Sequence, residues 1–359
     1  MPKVMDDPLF ARTKKPHGHG FMIFLLTFAL ILAILFLVNM VLNRQVQLIS
    51  QSVTIPSLPS ALEGYKILHI SDLHGARFGA KQTDLEATIK NSKYNAVCIT
   101  GDLVGADGDF TPLIELIDLI PDGTPIFLIA GDEDPSPLQS SAGTTNNVKA
   151  EFILAAENHG ATYLDAPVEV SYGKGTIWIC PESFFTLDLT SMSRAITSYE
   201  EEVTALPDSQ EKTFGLKMVE YRKDVLSRME EAQRTMLSSD TCVVLSHAPL
   251  KSDDITMLRS SESRASYVKA ISLILSGHYN NGQCRLPLLG AVYLPEALGT
   301  EKSGWFPIGE TLSGLVTVHG ISQYISPGLG AAKIYSFLPM RFFNAPSVTL
   351  LTLTTKMTK

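Results

Sequence analysis

The chain has 359 residues, 45% of them hydrophobic and 18% charged, with a formal net charge of −8. That length is enough for one large domain or two small ones. The acidic balance excludes a general nucleic-acid binder, because a phosphate backbone is held by a surplus of lysine and arginine.

Residues 1–20 read as a loose tail, with Arg12, Lys14 and Lys15 followed by Pro16 and Gly18. The stretch FMIFLLTFALILAILFLVNMVL, residues 21–42, contains no charged side chain and is long enough to cross a bilayer. No small-residue cleavage site follows it, so an uncleaved anchor is expected rather than a signal peptide. The basic residues before it place the tail in the cytoplasm and everything after Arg44 outside the cell membrane. Residues 43–64 read as a connector, since Pro56 and Pro59 interrupt any long helix. The single domain expected after it covers residues 65–355. Its four cysteines (Cys98, Cys180, Cys242 and Cys284) form no C-x-x-C pair and read as buried free thiols.

From residue 66 onward, apolar runs alternate with amphipathic stretches. KILHIS (66–71), NAVCIT (95–100) and PIFLIA (125–130) read as strands, with helices near 80–92 and 111–120 between them. This is the alternation of an α/β sheet. Shorter strands follow a helix at 148–158, and 185–240 reads as a helical insertion. There Leu216, Val219, Leu226, Met229 and Met236 recur near heptad spacing, the mark of a helix packed on the core. TCVVLS (241–246) and ISLILS (271–276) resume the strands, GLVTVHGISQYISPG reads as a hairpin, and SVTLLTLTT closes the chain as an alternating strand.

Five of these runs end in metal-type residues: Asp72 and His74, Asp102, Asp132 with Glu133 and Asp134, His247, and His278 with Asn280. One aspartate after a strand is ordinarily a helix cap. Five such endings in one sheet system instead deliver their side chains to one rim, where α/β proteins bind ligands. Mixed carboxylates and imidazoles suit Mn, Fe, Zn or Co. Two such ions can clamp a phosphoryl group and activate a water.

The ordered series SDLH, GDL, GDED, SHAP and GHYNNGQ resembles the calcineurin-like metallophosphoesterase superfamily. The apolar N-terminal helix and the ending ISPGLG … MRFFNAPSVTLLTL resemble a membrane-anchored bacterial branch related to UDP-diacylglucosamine pyrophosphatases. The resemblance implies two mixed β-sheets packed as an α/β/β/α sandwich. It implies two divalent ions, with Asp72 and His74 on the first, Asp102 bridging, and Asp132, His247 and His278 on the second. Three positions depart from the pattern. Asp132 stands where the family has asparagine, adding a negative charge that favours a cation and opposes a phosphate. Glu133 stands where the family has the histidine that assists the leaving oxygen, and can serve as an acid only when protonated. Asn280 stands where the family has the first ion's last histidine; its amide oxygen is a weaker ligand, so that ion is expected to lose affinity, and Mg becomes a further option.

Two readings stay open. One is a membrane-anchored, metal-dependent phosphoesterase acting on a phosphorylated small molecule or lipid headgroup, with Asp102 and Glu133 at the reacting centre. The other is a lapsed member of the fold that serves as a surface metal- or partner-binding module. Of the remaining candidates, His69 lies inside a strand, His159 in a turn and His319 in the hairpin, while Arg77 is placed either for a phosphate or for solvent.

Overall fold

A computed structural model describes residues 18–143, 146–260, 266–286, 288–294, 304–307, 311–332 and 340–356. The chain divides into two units after Leu42. The first contains one apolar helix, α1 (Gly18–Leu42). Its residues Gly20–Leu42 are long and apolar enough to cross a membrane, a test that a signal sequence also passes.

In the second unit the apolar runs become strands. In chain order the elements are β1 (Gln47–Thr54), β2 (Lys66–Ile70), α2 (Thr83–Ile89), β3 (Ala96–Thr100), α3 (Thr111–Ile117), β4 (Ile126–Ile129), α4 (Glu151–Asn158) and β5 (Ala161–Tyr163). Then come β6 (Val168–Tyr172), β7 (Gly175–Pro181), α5 (Ser183–Thr186), α6 (Leu189–Thr204), α7 (Gln210–Thr235) and β8 (Thr241–Leu245). After them run α8 (Ser252–Ser260), α9 (Ser266–Lys269) and β9 (Ile271–Ser276), followed by the short pairs β10 (Arg285–Leu286) with β11 (Gly290–Ala291) and β12 (Tyr293–Leu294) with β13 (Gly304–Trp305). The hairpin β14 (Gly314–Val318) and β15 (Ile321–Ile325) and the strand β16 (Ser347–Thr354) complete the order.

Two six-stranded sheets result, ordered β1-β16-β2-β3-β4-β5 and β14-β15-β9-β8-β7-β6. Both are mixed: β2 to β5 run parallel while β16 opposes β2, and β7, β8, β9 and β15 run parallel between antiparallel edges. Alternation along each strand sorts the side chains into layers. Ile67, Cys98 and Phe127 of the first sheet pack with Ile179, Val243 and Leu275 of the second in one core between the sheets. Leu68, Ile99 and Leu128 face outward and pack on α2, α3 and α4. Cys180, Val244 and Ile274 face outward on the other side, against Val225, Met229 and Ala232 of α7. The central strands are covered on both faces, which is why their sequences are continuously apolar. This is the α/β/β/α sandwich expected from the sequence.

Two details differ from the sequence reading. Residues 43–64 do more than connect, because β1 joins the first sheet beside β16. As an edge strand it pairs on one side only and tolerates the polar sequence QLISQSVT, so no apolar run marks it; Pro56 and Pro59 fall after it. On α7 the buried residues include Phe214, Met218, Val219, Val225, Met229 and Ala232; of the expected set Val219, Met229 and Met236 are buried, whereas Leu216 is 42% exposed. All four cysteines are unbridged, three of them buried, and the Cys180 and Cys242 sulfurs lie 3.2 Å apart.

His69 faces the inter-sheet core. Its Nε2 lies 2.9 Å from Thr100 Oγ1, and burial pushes its pKa down to about 3. The unfolded ring titrates near ~6.5. Between those values only the unfolded chain takes up the proton, so this residue makes stability fall as pH falls. Lowering the pH from 7 to 5 should cost about 2 kcal/mol through His69. Thermal melts of the metal-free chain should show a flatter acid limb for His69→Gln than for wild type; equal slopes would refute this assignment.

Candidate metal centre

The turns after β2 and β3 are laced together before any side chain is considered. The Asp72 amide donates to the Gly101 carbonyl at 2.9 Å, and the His74 amide to the Asp102 carbonyl at 2.8 Å. In the second sheet, the Gly277 amide donates to the His247 carbonyl at 2.9 Å. Asp72, His74, Asp102, His278 and Asn280 all have positive φ, between 48° and 73°. Non-glycine residues pay about 1–3 kcal/mol each for such a conformation, and it persists where a site requires it. Glycines make room for the crowding. A Cβ on Gly101 would lie 2.6 Å from the Gly131 nitrogen and from His247 Nδ1, and one on Gly277 would lie 2.5 Å from Asp72 Oδ2.

The strand ends bring together two groups of potential ligands that share Asp102. Asp102, Asp132, His247 and His278 each offer an atom within 4.8 Å of the others, and so do Asp72, His74 and Asp102. His247 donates from Nδ1 to the Thr100 carbonyl at 2.8 Å. This fixes the tautomer and leaves Nε2 facing Asp132 Oδ1 at 2.7 Å and Asp102 Oδ2 at 3.3 Å, the second-shell arrangement that orients a metal-binding histidine. His278 Nδ1 lies 3.1 Å from Asp132 Oδ1 and 3.2 Å from His247 Nε2. Asp72 Oδ1 accepts from the His278 amide at 2.8 Å, and Asp102 Oδ1 from the Glu133 amide at 3.0 Å. Asp72 Oδ2 is buried without a hydrogen-bond partner among the described residues. A lone buried carboxylate oxygen within a set of carboxylates and imidazoles fits a divalent metal ion.

The charges respond to one another as such a cluster must. Burial opposes a charged His247, but Asp102 and Asp132 outweigh it and hold its pKa well above the usual imidazole range. In return His247 and His278 hold Asp132 well below the usual carboxylate range. Burial raises Asp72, with His247 pulling the other way. His74 is raised despite burial, through Glu133 first and then Asp102 and Asp72. In the metal-free chain His247 therefore carries positive charge that a bound cation would replace.

Three predicted residues sit differently from ligands. Glu133 turns its Oε2 to His74 Nδ1 at 3.4 Å. Asp134 accepts from the amides of Leu103, Val104 and Gly131 at 2.7–2.8 Å, so it braces the turns. Asn280 accepts at Oδ1 from Arg341 Nη1 at 3.2 Å and faces His74 Nε2 with its Nδ2 at 3.2 Å. A guanidinium only donates, so the amide oxygen is the atom that must face Arg341. Arg77 pairs with Asp109 and Glu115, and His159 with Asp118. His319 lies at the turn before β15, the end opposite the one that leads to the site. Arg341 and the turn 326–330 are further site components, and neither is of a metal-ligand residue type. The glycines of SPGLG are their sequence signal: a Cβ on Gly328 would lie 2.9 Å from Asn280 Oδ1 and 3.2 Å from Asp72 Oδ2.

A two-sheet sandwich with aspartates and histidines gathered at one rim defines a metal-binding α/β protein. Residues 65–280 match the family described as Calcineurin-like phosphoesterase, and the chain belongs to that family. It is similar to the "Uncharacterized metallophosphoesterase YkuE" of Bacillus subtilis (strain 168), 23% identical over 307 residues that cover 82% of this chain and 81% of that protein. Among solved structures it is similar to Phosphopantetheinyl Hydrolase (PptH) from Mycobacterium tuberculosis, with 10% identity and a TM-score of 0.36 over 75% of this chain and 91% of that one.

Proposed function

We propose that this protein is a metal-dependent phosphoesterase that cleaves a phosphate ester or pyrophosphate in a phosphorylated small molecule or a lipid headgroup. The observation that carries this reading is Asp102, shared by two adjoining donor groups at the ends of five strands. Divalent ions bound there, Mn, Fe, Zn, Co or Mg, would supply Lewis acidity toward a phosphoryl oxygen and acidify a bound water. The chain's own residues do the rest. Thr100 holds His247 in one tautomer, and Asp102 aligns both donor groups. Glu133 sets its Oε2 3.4 Å from His74 Nδ1, and its protonated carboxyl would be the acid for a leaving oxygen.

An uncleaved α1 anchor, with basic residues before it, would put the site outside the cytoplasmic membrane and the tail inside. The likeness of the tail to the branch related to UDP-diacylglucosamine pyrophosphatases puts a lipid pyrophosphate among the substrates to try. The acidic balance gives nucleic acid no part in it.

The full chain in detergent should hydrolyse bis- and mono-p-nitrophenyl phosphate with Mn, Zn, Co or Mg, and lose that turnover to EDTA. Absence of turnover with every metal would sink the enzyme reading. The alternative, a metal- or partner-binding module, is favoured by the placement of Asn280, whose oxygen is committed to Arg341. It predicts metal retention without turnover.

A further inference from the structure

The two donor groups are unequal, and the reason lies behind Asn280. Arg341 is 3% exposed. Its Nε donates to the Asn344 carbonyl at 2.9 Å, Nη1 to the Gly330 carbonyl at 2.7 Å, and Nη2 to the carbonyls of Pro327 at 2.6 Å and Asn280 at 3.2 Å. Nη1 also donates to Asn280 Oδ1 at 3.2 Å. Burial lowers the guanidinium pKa to about 10, with Asp72 opposing that shift. The residue therefore remains a fixed cation at neutral pH, and Asp72 is a negative charge that it faces.

Consider a cation placed between Asp72, His74 and Asp102. It would meet this fixed positive charge at short range. The Asn280 amide presents an N–H toward His74 Nε2, and an N–H has no lone pair for a metal. That N–H also competes for the His74 lone pair. The other group has two carboxylates and two imidazoles, with the His247 tautomer already set.

We propose that the chain holds one divalent ion tightly, among Asp102, Asp132, His247 and His278, and that Arg341, acting through Asn280, is a positioning residue that keeps the Asp72–His74 side a weak, exchangeable metal position. This rests on the reading of the rim as a metal centre. Asn280→Asp tests it with little change of shape: Oδ1 still accepts from Arg341, and the second oxygen becomes a ligand facing His74. The full chain in detergent is loaded with Mn²⁺ and desalted. Manganese per chain is counted by mass spectrometry, and the paramagnetic resonance spectrum is recorded.

Wild type should retain about one Mn²⁺ with the spectrum of an isolated ion, and bind the second at least about tenfold more weakly, a gap of roughly 1.4 kcal/mol. Asn280→Asp should retain about two, with a spin-coupled spectrum. Two tight, coupled ions in wild type would overturn the proposal, and so would an Asn280→Asp chain that melts normally yet still retains one. The outcomes separate from those of the functional reading. One tight ion with no turnover on any ester sinks the enzyme and leaves this inference standing. Two tight ions with turnover do the reverse, and no retained ion at all removes the metal centre itself.

Discussion

Asp102→Ala should abolish metal-dependent turnover, by at least about a thousandfold, which corresponds to roughly 4 kcal/mol of lost transition-state stabilisation. Asp102 is the residue common to both donor groups. Its Oδ2 lies 3.3 Å from His247 Nε2 and 3.7 Å from His74 Nε2, so its removal strips a carboxylate from each group at once. The substitution also frees the Glu133 amide that Oδ1 now holds, loosening the turn that carries Asp132. Retained metal should fall along with rate. Asp102→Asn separates the two effects: the amide keeps the acceptor for Glu133 but removes the charge. If Asp102→Ala turned over the nitrophenyl esters at the wild-type rate, no assignment of this rim as a reaction centre would survive.

Gly131→Ala should be among the most damaging single methyls in the rim. A Cβ at that position would overlap both the Asp102 Oδ1 and the Asp102 backbone nitrogen, and neither can step aside. The nitrogen belongs to a residue already held at φ 56°, and the oxygen is a potential ligand. Overpacking of this kind costs about 3 kcal/mol, which lowers Tm by on the order of 5 °C in a domain of this size. Gly143→Ala is the matched control, because nothing lies within 4 Å of its added carbon; it should stay within about 0.5 kcal/mol of wild type. A scanning fluorimetry trace in which the two variants coincide would contradict the packing described here. Activity should fall with Gly131→Ala beyond what the lost stability explains, since the methyl pushes directly on Asp102.

The strands that carry the site were legible because they are buried on both faces. KILHI, AVCIT, IFLI, TCVVL and ISLILS have no polar side to conceal them, and each runs straight into its polar turn. Periodicity served only in part on α7, where a heptad reading found the buried Val219, Met229 and Met236 but chose the exposed Leu216 over Phe214 and Met218. The edge strand β1 was illegible for the opposite reason: it needs no apolar run. At the site, residue type alone could not separate Asp132 from Asp134. The two aspartates have the same chemistry two positions apart, yet one faces His247 and His278 while the other is consumed by three backbone amides. Arg341 shows a further limit. It touches the site from sixty-one residues beyond Asn280, and no local pattern announces so long a reach.

Strand β16 has a consequence of another kind. It lies between β1 and β2, with Gln47 opposite Ser347 and His69 opposite Thr349. During synthesis β1 and β2 leave the ribosome early, and their shared neighbour follows nearly three hundred residues later. Until it arrives, the facing edges of both strands are open, and the first sheet is interrupted at its second position. Such late, long-range closure slows folding and exposes unpaired strand edges meanwhile. Chains released before residue 347 should therefore be substrates for chaperones and proteases even though all five ligand-bearing turns have already been made.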